Sequence, residues 1–188
     1  MKPTIADLTE RLRAVRPDRR LFLDDNITSE QAVQMIRAIA NMNKAGTEDI
    51  LLQINSNGGN AVGGLQAYDA LRFSRAPILG LVTGDCLSTA LVLLQGCSLR
   101  FALEHSRFLF HHVANMVSVK LSPVSDVEAI KRSHEQEIAQ LKLKQESFNK
   151  IFLERTKMKQ ADLEFFLQTE TKILVPQALR YGLIDHVV

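Results

Sequence analysis

Residues 50–59 read Ile-Leu-Leu-Gln-Ile-Asn-Ser-Asn-Gly-Gly, and this stretch decides the class of fold. Its first five residues form a mainly apolar, β-favouring run, which is typical of a strand covered on both faces. The run ends in a polar turn with two glycines, and apolar residues at helical spacing follow at 65–73. A buried strand that leads through a short turn into a helix predicts a parallel βαβ unit.

The same alternation of strands and helices extends in both directions from this stretch. Capping and turn residues separate the successive apolar runs, as expected between short elements. Strands and helices that alternate at this spacing predict right-handed crossovers and an α/β fold with a mainly parallel sheet. The predicted strands lie at 21–23, 77–82, 100–103 and 107–110, and the predicted helices lie at about 29–45 and 89–94.

The two ends of the chain carry helical patterns of a different kind. Residues 5–20 are arginine-rich with apolar residues at helical spacing, which predicts a short amphipathic helix within the N-terminal segment 1–20. After a predicted strand at 117–121, a long helix is predicted over about 122–156. Its apolar positions are too sparse for burial in one small domain, so we expect it to project or to pack on a partner. Short helices at 159–167 and 175–181 and a strand at 183–188 complete the chain.

Length and composition indicate one globular domain that spans residues 1–188. Hydrophobic residues make up 46% and charged residues 23%, which excludes a wholly disordered chain. Lys and Arg together number 23 against 21 for Asp and Glu, so the net charge does not favour binding to nucleic acid or to an acidic membrane. We therefore expect neither nucleic acid nor a membrane as a partner.

The predicted compartment and the absence of a cofactor rest on a few residues. The charge-free stretch at 86–99 is too short to span a bilayer, and Asp7 and Glu10 stand where a secretory signal would have its apolar core. Two cysteines, Cys86 and Cys97, fit a reducing compartment, so a cytoplasmic location is predicted. The cysteines and histidines show no metal-ligand spacing, and neither a metal nor another cofactor is expected.

Three segments that could carry chemistry follow predicted strands. The turn at 57–59, Ser88 and His111 each stand at the carboxyl end of a strand, where open α/β sheets bind their ligands. Together they would supply backbone amides, a nucleophile and a base at one edge of the sheet. We therefore expect these three segments to share a site.

Each of these residues also has a common structural role. A serine that opens a helix is more often an inert N-cap, and the sequence around Ser88 is not a Gly-x-Ser-x-Gly elbow. His111 precedes His112, and only one of the two can face the site from an extended strand. The glycine pair 58–59 is either a plain turn or an oxyanion hole, and Glu170 is either a surface acid or a residue that orients the histidine. The residues alone leave these alternatives open.

In combination, these segments resemble the Clp protease proteolytic subunit family. The likeness runs from about residue 21 to residue 185 and keeps the order and spacing of the family's motifs. Residues 55–59 are similar to the family's Asn-Ser-Pro-Gly-Gly loop, with Asn57 in place of proline. The matching segments are 54–59, Tyr68-Asp69, Ser88, 106–111 and the closing run Pro176-Gln177-Ala178-Leu179-Arg180-Tyr181-Gly182-Leu183-Ile184-Asp185.

The resemblance implies a serine endopeptidase that hydrolyses peptides or unfolded proteins inside an oligomeric chamber. It implies that Ser88 is the nucleophile and His111 the base, with Glu170 in place of the family's usual aspartate as the third member of a triad. It also implies that the amides of Gly59 and Thr89 form the oxyanion hole. No metal takes part in this chemistry.

The family's architecture supplies further expectations for this chain. The resemblance implies a Clp/crotonase-like fold of repeated ββα units with a parallel sheet, in which residues 122–156 are a projecting handle helix. Self-association into a heptameric ring or a double-ring tetradecamer is expected. A Clp-type ATPase or a paralogous subunit would be a further partner, in addition to the peptide substrate.

Three departures from the family's pattern keep other functions open. Thr89-Ala90 replaces the usual methionine-glycine after the nucleophile, Glu170 replaces aspartate, and the segment 112–123 is longer than in the family. A catalytically weak or inactive ring subunit with a structural or regulatory role is therefore the alternative hypothesis. An acyl-thioester enzyme of the related crotonase fold is a third, although the chain lacks the length and the coenzyme A contacts that such enzymes need.

Overall fold

The computed structural model describes residues 3–113 and 127–188, with residues 127–130 described by their backbone alone. Within these ranges, strands alternate with helices through the first hundred residues, and helices dominate the last third. The strands are β1 (Arg20–Ile27), β2 (Ile50–Gly59), β3 (Ile78–Leu87), β4 (Leu99–Ala102), β5 (Arg107–Leu109), β6 (Ile173–Leu174) and β7 (His186–Val187). The α-helices are α1 (Ile5–Ala14), α2 (Ser29–Ala45), α3 (Ala61–Arg72), α4 (Thr89–Gly96), α5 (Val127–Arg155), α6 (Gln160–Thr169) and α7 (Val175–Tyr181).

The strands form one mainly parallel sheet, and this confirms the α/β fold predicted from the sequence. The central order is β1-β2-β3-β4-β7, and each neighbouring pair on this path is parallel. β3 pairs with β4 through residues 79–82 and with β5 through residues 85–87. β6 pairs with β5 in the antiparallel direction. The second half of β3 therefore brings β5 and β6 to the carboxyl end of the sheet.

Strands β2 and β3 continue further than the sequence pattern indicates. The segment 55–59, which was expected to be a turn, is the end of β2, because its pairing with β1 resumes at Gly58 after a register shift. A second register shift between β2 and β3 follows Ile54. Bulges of this kind bend a strand and redirect its end. As a result, the two glycines lie on an ordered strand end that faces the start of α4.

Both faces of the sheet are covered, as the apolar run in β2 predicts. Ile50, Leu52 and Ile54 lie in the main core, whereas Leu51 faces α1 in a second, smaller cluster. All eight residues of α4 are buried, so this helix is held by contacts on every side. Burial of each large aliphatic side chain contributes roughly 1.5–3 kcal/mol. The strand ends that carry the site are therefore anchored in the buried core of the molecule.

Among the residues of the long helix α5 whose burial is described, 131–155, the buried ones lie near the C-terminal end. Most residues between 131 and 147 are exposed, whereas Phe148, Ile151 and Phe152 are buried in the main core. Phe152 meets Phe110, which follows β5, edge-to-face at a ring-centroid distance of 4.7 Å. The helix is thus fixed at one end to the strand that leads to His111. The predicted strand at 117–121 and the start of the predicted helix at 122–126 lie outside the described residues.

Candidate active site

A cavity of about 650 Å³ opens at the carboxyl ends of β1, β2 and β3. Its size is within the range of cavities that hold small ligands or a few peptide residues. It is lined by Gly59, Ser88, Thr89 and His111, all of which were predicted as site residues, whereas Glu170 does not line it. The other lining residues are Asn26, Ile27, Thr28, Ser29, Asn57, Asn60, Ala61, Val62, Val113, Lys144 and Phe148.

Ser88 forms the whole connection between β3 and α4. Its backbone has φ 54° and ψ −124°, which is a sparsely populated conformation for a residue with a side chain. The N–H of Ser88 donates to the carbonyl of Leu109 (2.9 Å), and its own carbonyl accepts from the N–H of Leu91 (3.0 Å). The hydroxyl does not cap α4. This geometry is that of a strained strand-to-helix elbow that presents a hydroxyl, rather than of an N-cap serine.

The glycine pair packs directly against this elbow. Gly58 has φ +90°, and a Cβ built there would lie 2.6 Å from the carbonyl oxygen of Leu87 and 2.9 Å from the amide nitrogen of Thr89. Gly59 has φ +146°, and a Cβ there would collide with the backbone of Ile27. Both positions therefore require glycine for conformation and for space. The close approach places the end of β2 beside the first amide of α4.

Thr89 connects the two loops that meet at this point. Its side chain is 1% exposed, and its hydroxyl donates to the carbonyl of Gly59 at 3.0 Å. Thr89 is the first residue of α4, so its N–H has no acceptor within the helix. Its methyl group occupies the space that a side chain at Gly64 would need. Thr89 thus holds the end of β2 while its own amide stays available to a ligand.

His111 reaches the cavity from the neighbouring strand. Leu109, which accepts the hydrogen bond from the Ser88 amide, lies two residues before it. The imidazole is partly buried, and its Nδ1 lies 2.8 Å from the carbonyl oxygen of His112. If Nδ1 carries the proton and donates to this carbonyl, Nε2 is left unprotonated and can act as a base. His112 itself is exposed and does not line the cavity.

Glu170 lies at the C-terminal cap of α6, where its backbone is left-handed (φ 47°, ψ 34°). Its side chain is exposed, and within the described residues neither a hydrogen bond nor an ion pair joins it to His111. β6 pairs Ile173 with Phe108 of β5, and continuing this antiparallel register by three residues would set Glu170 opposite His111. The observed pairing ends at Ile173 and Phe108, before that point, so the strand pairing does not bring Glu170 to the histidine.

Helix α5 also contributes to the cavity, which the sequence motifs do not indicate. Lys144 and Phe148, one helical turn apart, both line it, and Phe148 is 5% exposed. Between them, Gln145 accepts a hydrogen bond from the N–H of Val113 at 2.8 Å. The spacing of Lys144 and Phe148 places them on one face of a helix. A mostly polar helix does not reveal, however, which of its lysines faces inward.

The surroundings of the two cysteines exclude them as nucleophiles. Cys86 and Cys97 are fully buried, and burial raises the pKa of both thiols, that of Cys97 to about 12. Neither is therefore a thiolate at neutral pH.

The described part of the chain contains no group of three His, Cys, Asp or Glu side chains that could hold a metal ion. Among the helices of residues 3–113 and 127–188, none combines the length and apolar character required to cross a bilayer.

Comparison with known proteins bears on the family and the fold of the chain. The family model described as Clp protease matches residues 4–188. A solved structure of a ClpP1 mutant from Listeria monocytogenes matches with a TM-score of 0.76, over 96% of this chain and 95% of that chain. The two sequences are 19% identical, so this second comparison supports the shared fold.

Proposed function

Because the chain belongs to the Clp protease family, which is a serine peptidase family, we propose that it is a serine endopeptidase with Ser88 as its nucleophile. The observation that supports this most directly is the strained elbow at Ser88, whose hydroxyl does not cap α4 and lies in one cavity with His111, Gly59 and Thr89. Strain of this kind persists at functional sites because the surrounding contacts over-determine it.

The proposed reaction uses these groups in a fixed order. Nε2 of His111 removes the proton from the Ser88 hydroxyl as its oxygen bonds to the carbonyl carbon of the peptide. The amides of Gly59 and Thr89 donate to the negatively charged oxygen of the tetrahedral intermediate. His111 then gives its proton to the leaving amine as the peptide bond breaks. A water molecule releases the acyl group by the same steps in reverse.

The group that orients His111 has two candidates. Glu170 is the residue that the family resemblance predicts, whereas the carbonyl of His112 is the acceptor that faces Nδ1 in this structure. Both can hold the required tautomer, but only a carboxylate also forms an ion pair with the imidazolium. The exposed position of Glu170 favours the carbonyl in the single chain. The role of Glu170 stays a prediction, which Glu170→Gln tests.

Assembly and location are part of the same proposal. We propose that the chain self-associates into a heptameric ring or a double-ring tetradecamer in the cytoplasm, with peptides or unfolded proteins as substrates. The exposed stretch 131–147 of α5 supports this, because such a surface suits contact with another subunit. A Clp-type ATPase or a paralogous subunit would then deliver substrate or complete the ring. The family match gives no support to the acyl-thioester alternative.

A catalytically weak or inactive ring subunit is the second candidate. The specific observation in its favour is that no carboxylate of the described residues contacts His111. Such a subunit would assemble normally and would contribute to a ring through contacts rather than through hydrolysis. Isolation of the protein only in mixed rings, inert by itself, would support this alternative.

A fluorophosphonate probe tests the proposed function directly. We expect the assembled protein to be labelled on Ser88 and to cleave unstructured peptides, and Ser88→Ala to lose both properties. Ser147→Ala, at an exposed serine of α5, is the matched control and should be labelled like the wild type. The native mass of the labelled species, read in the same run, gives the assembly state. An assembled protein without labelling or peptide cleavage would contradict the peptidase proposal.

A further inference from the structure

The charges that line the cavity have a single sign. Among the described lining residues, Lys144 carries the formal charge, His111 can gain one, and neither Asp nor Glu is present. Helices α2, α3 and α4 all begin at this cavity, at Ser29, Ala61 and Thr89. Helix N-termini carry partial positive charge, so their field adds to that of Lys144. A negatively charged group would therefore enter this cavity without meeting a like charge among the described lining residues.

The position of Lys144 is set by its neighbours on α5. Phe148, one turn later on the same helix face, is in the main core, and Gln145 binds the backbone of Val113 beside the cavity. These two contacts hold this part of the helix in a fixed rotation. Lys144 is partly buried, and within the described residues its ammonium group forms no ion pair. Its position at the cavity is thus set by the helix, and no acid of the described residues forms an ion pair with it.

We propose that Lys144 selects peptides that carry a carboxylate close to the bond that is cut. This inference rests on the proposed peptidase function and adds a substrate class to it. The carboxylate could belong to an Asp or Glu side chain or to the C-terminus of the peptide, and both offer the same chemistry to an ammonium group. A charge-assisted hydrogen bond in a partly enclosed site favours the charged substrate over its amide about ten- to a hundredfold.

Matched peptides measure this preference. In each pair, one peptide carries Glu and the other Gln at the same position, and the position is moved through the three residues on either side of the bond. A further pair has a free or an amidated C-terminus near that bond. We expect at least one Glu peptide, or the free C-terminus, to be cleaved with a kcat/KM at least about tenfold above that of its partner. The position that shows the effect identifies the source of the carboxylate.

Variants of Lys144 connect the preference to this residue. Lys144→Met should reduce the ratio between charged and neutral peptides to about one, chiefly by lowering kcat/KM for the charged peptide. Lys144→Glu should reverse the preference, so that a Lys peptide is cleaved better than a Glu peptide. Lys142→Met is the matched control, because Lys142 is exposed on the same helix and does not line the cavity. It should keep the wild-type ratio.

Failure of this inference and failure of the peptidase proposal give different results. If Ser88 is not labelled by the fluorophosphonate and no peptide is cleaved, the peptidase proposal fails. If Ser88 is labelled and neutral peptides are cleaved, but the charged and neutral peptides are cleaved equally or Lys144→Met keeps the wild-type ratio, only the role of Lys144 is overturned. Reversal by Lys144→Glu is a result that loss of folding cannot imitate.

Discussion

The two sides of the cavity are built in different ways. The nucleophile side, which comprises residues 57–59 and 88–89, is held by backbone contacts: Gly58 against the elbow, the Ser88 amide on Leu109, and the Thr89 hydroxyl on Gly59. The histidine side comprises residues 111–113 and 144–148, whereas Glu170, the predicted third member of the triad, does not line the cavity. Its polar contacts each use one side chain: His111 on the carbonyl of His112, and Gln145, distant in sequence, on the N–H of Val113.

This contrast predicts which substitutions lower the activity strongly. On the nucleophile side, a methyl group has no space, so small changes act directly on the backbone that would hold the oxyanion. On the histidine side, an exposed acid and an alternative acceptor for Nδ1 make the third member of the triad replaceable. A large loss of activity in a variant of the histidine side other than His111 would contradict this contrast.

The largest effect is expected for His111, the one residue of the histidine side that acts on the reacting atoms. His111→Ala should lower kcat for peptide cleavage roughly a thousandfold, because the general base is lost. His112→Ala is the matched control, since only the backbone carbonyl of His112 contacts His111 and its ring is exposed. It should change kcat less than about tenfold. Equal losses in the two variants would contradict the assignment of the base.

The next effect is expected for Gly58 on the nucleophile side. Gly58→Ala adds a methyl group beside the Thr89 amide and forces a side chain into φ +90°, so the end of β2 must move away from the elbow. Loss of one oxyanion donor lowers kcat roughly a hundredfold, and we expect a fall of this size. Circular dichroism and thermal unfolding should be recorded with the kinetics, to separate a local change from unfolding.

Gly46→Ala is the control for this substitution. Gly46 ends α2 with an extended backbone, and a Cβ there meets only the flexible carboxylate of Glu48. We expect near wild-type activity and stability. If Gly58→Ala were as active as Gly46→Ala, the end of β2 would not be part of the oxyanion hole.

A moderate effect is expected for the link between the two loops. Thr89→Val removes the hydrogen bond to the Gly59 carbonyl and keeps the shape of the side chain, so the orientation of the Gly59 backbone is no longer fixed. A net hydrogen bond contributes about 0.5–1.5 kcal/mol, which corresponds to a loss of up to about tenfold in kcat with little change in KM. Thr89→Ser keeps the hydroxyl and should recover most of the activity. Equal activity in both variants would show that the link has no catalytic role.

The same contrast explains which parts of the fold and of the candidate site could be predicted from the sequence. The parallel sheet and the strand ends were predictable because apolar runs and turn residues are local signals, and the candidate nucleophile and oxyanion residues stand next to those signals. The extension of β2 through Gly59 was not predictable, because its pairing with β1 resumes only after a register shift. Lys144 was missed because the face of a helix that turns inward is decided by packing at Phe148, far from the site motifs in sequence.

The smallest effect is expected for Glu170, and it is the sharpest test of the comparison. Glu170→Gln keeps the size of the side chain and removes its charge. If the carbonyl of His112 holds the tautomer of His111, kcat should fall less than about tenfold, because the exposed carboxylate does not touch the imidazole.

The opposite result would also be informative. In a triad that depends on its acid, removal of the charge lowers kcat by about four orders of magnitude. A loss of that size in an assembled Glu170→Gln protein would mean that the chain between α6 and β6 moves on assembly and brings the carboxylate to Nδ1. Glu164→Gln, at an exposed acid of α6, is the matched control and should behave as wild type. The size of the loss at Glu170 therefore decides whether the histidine side is complete in a single chain or only after assembly.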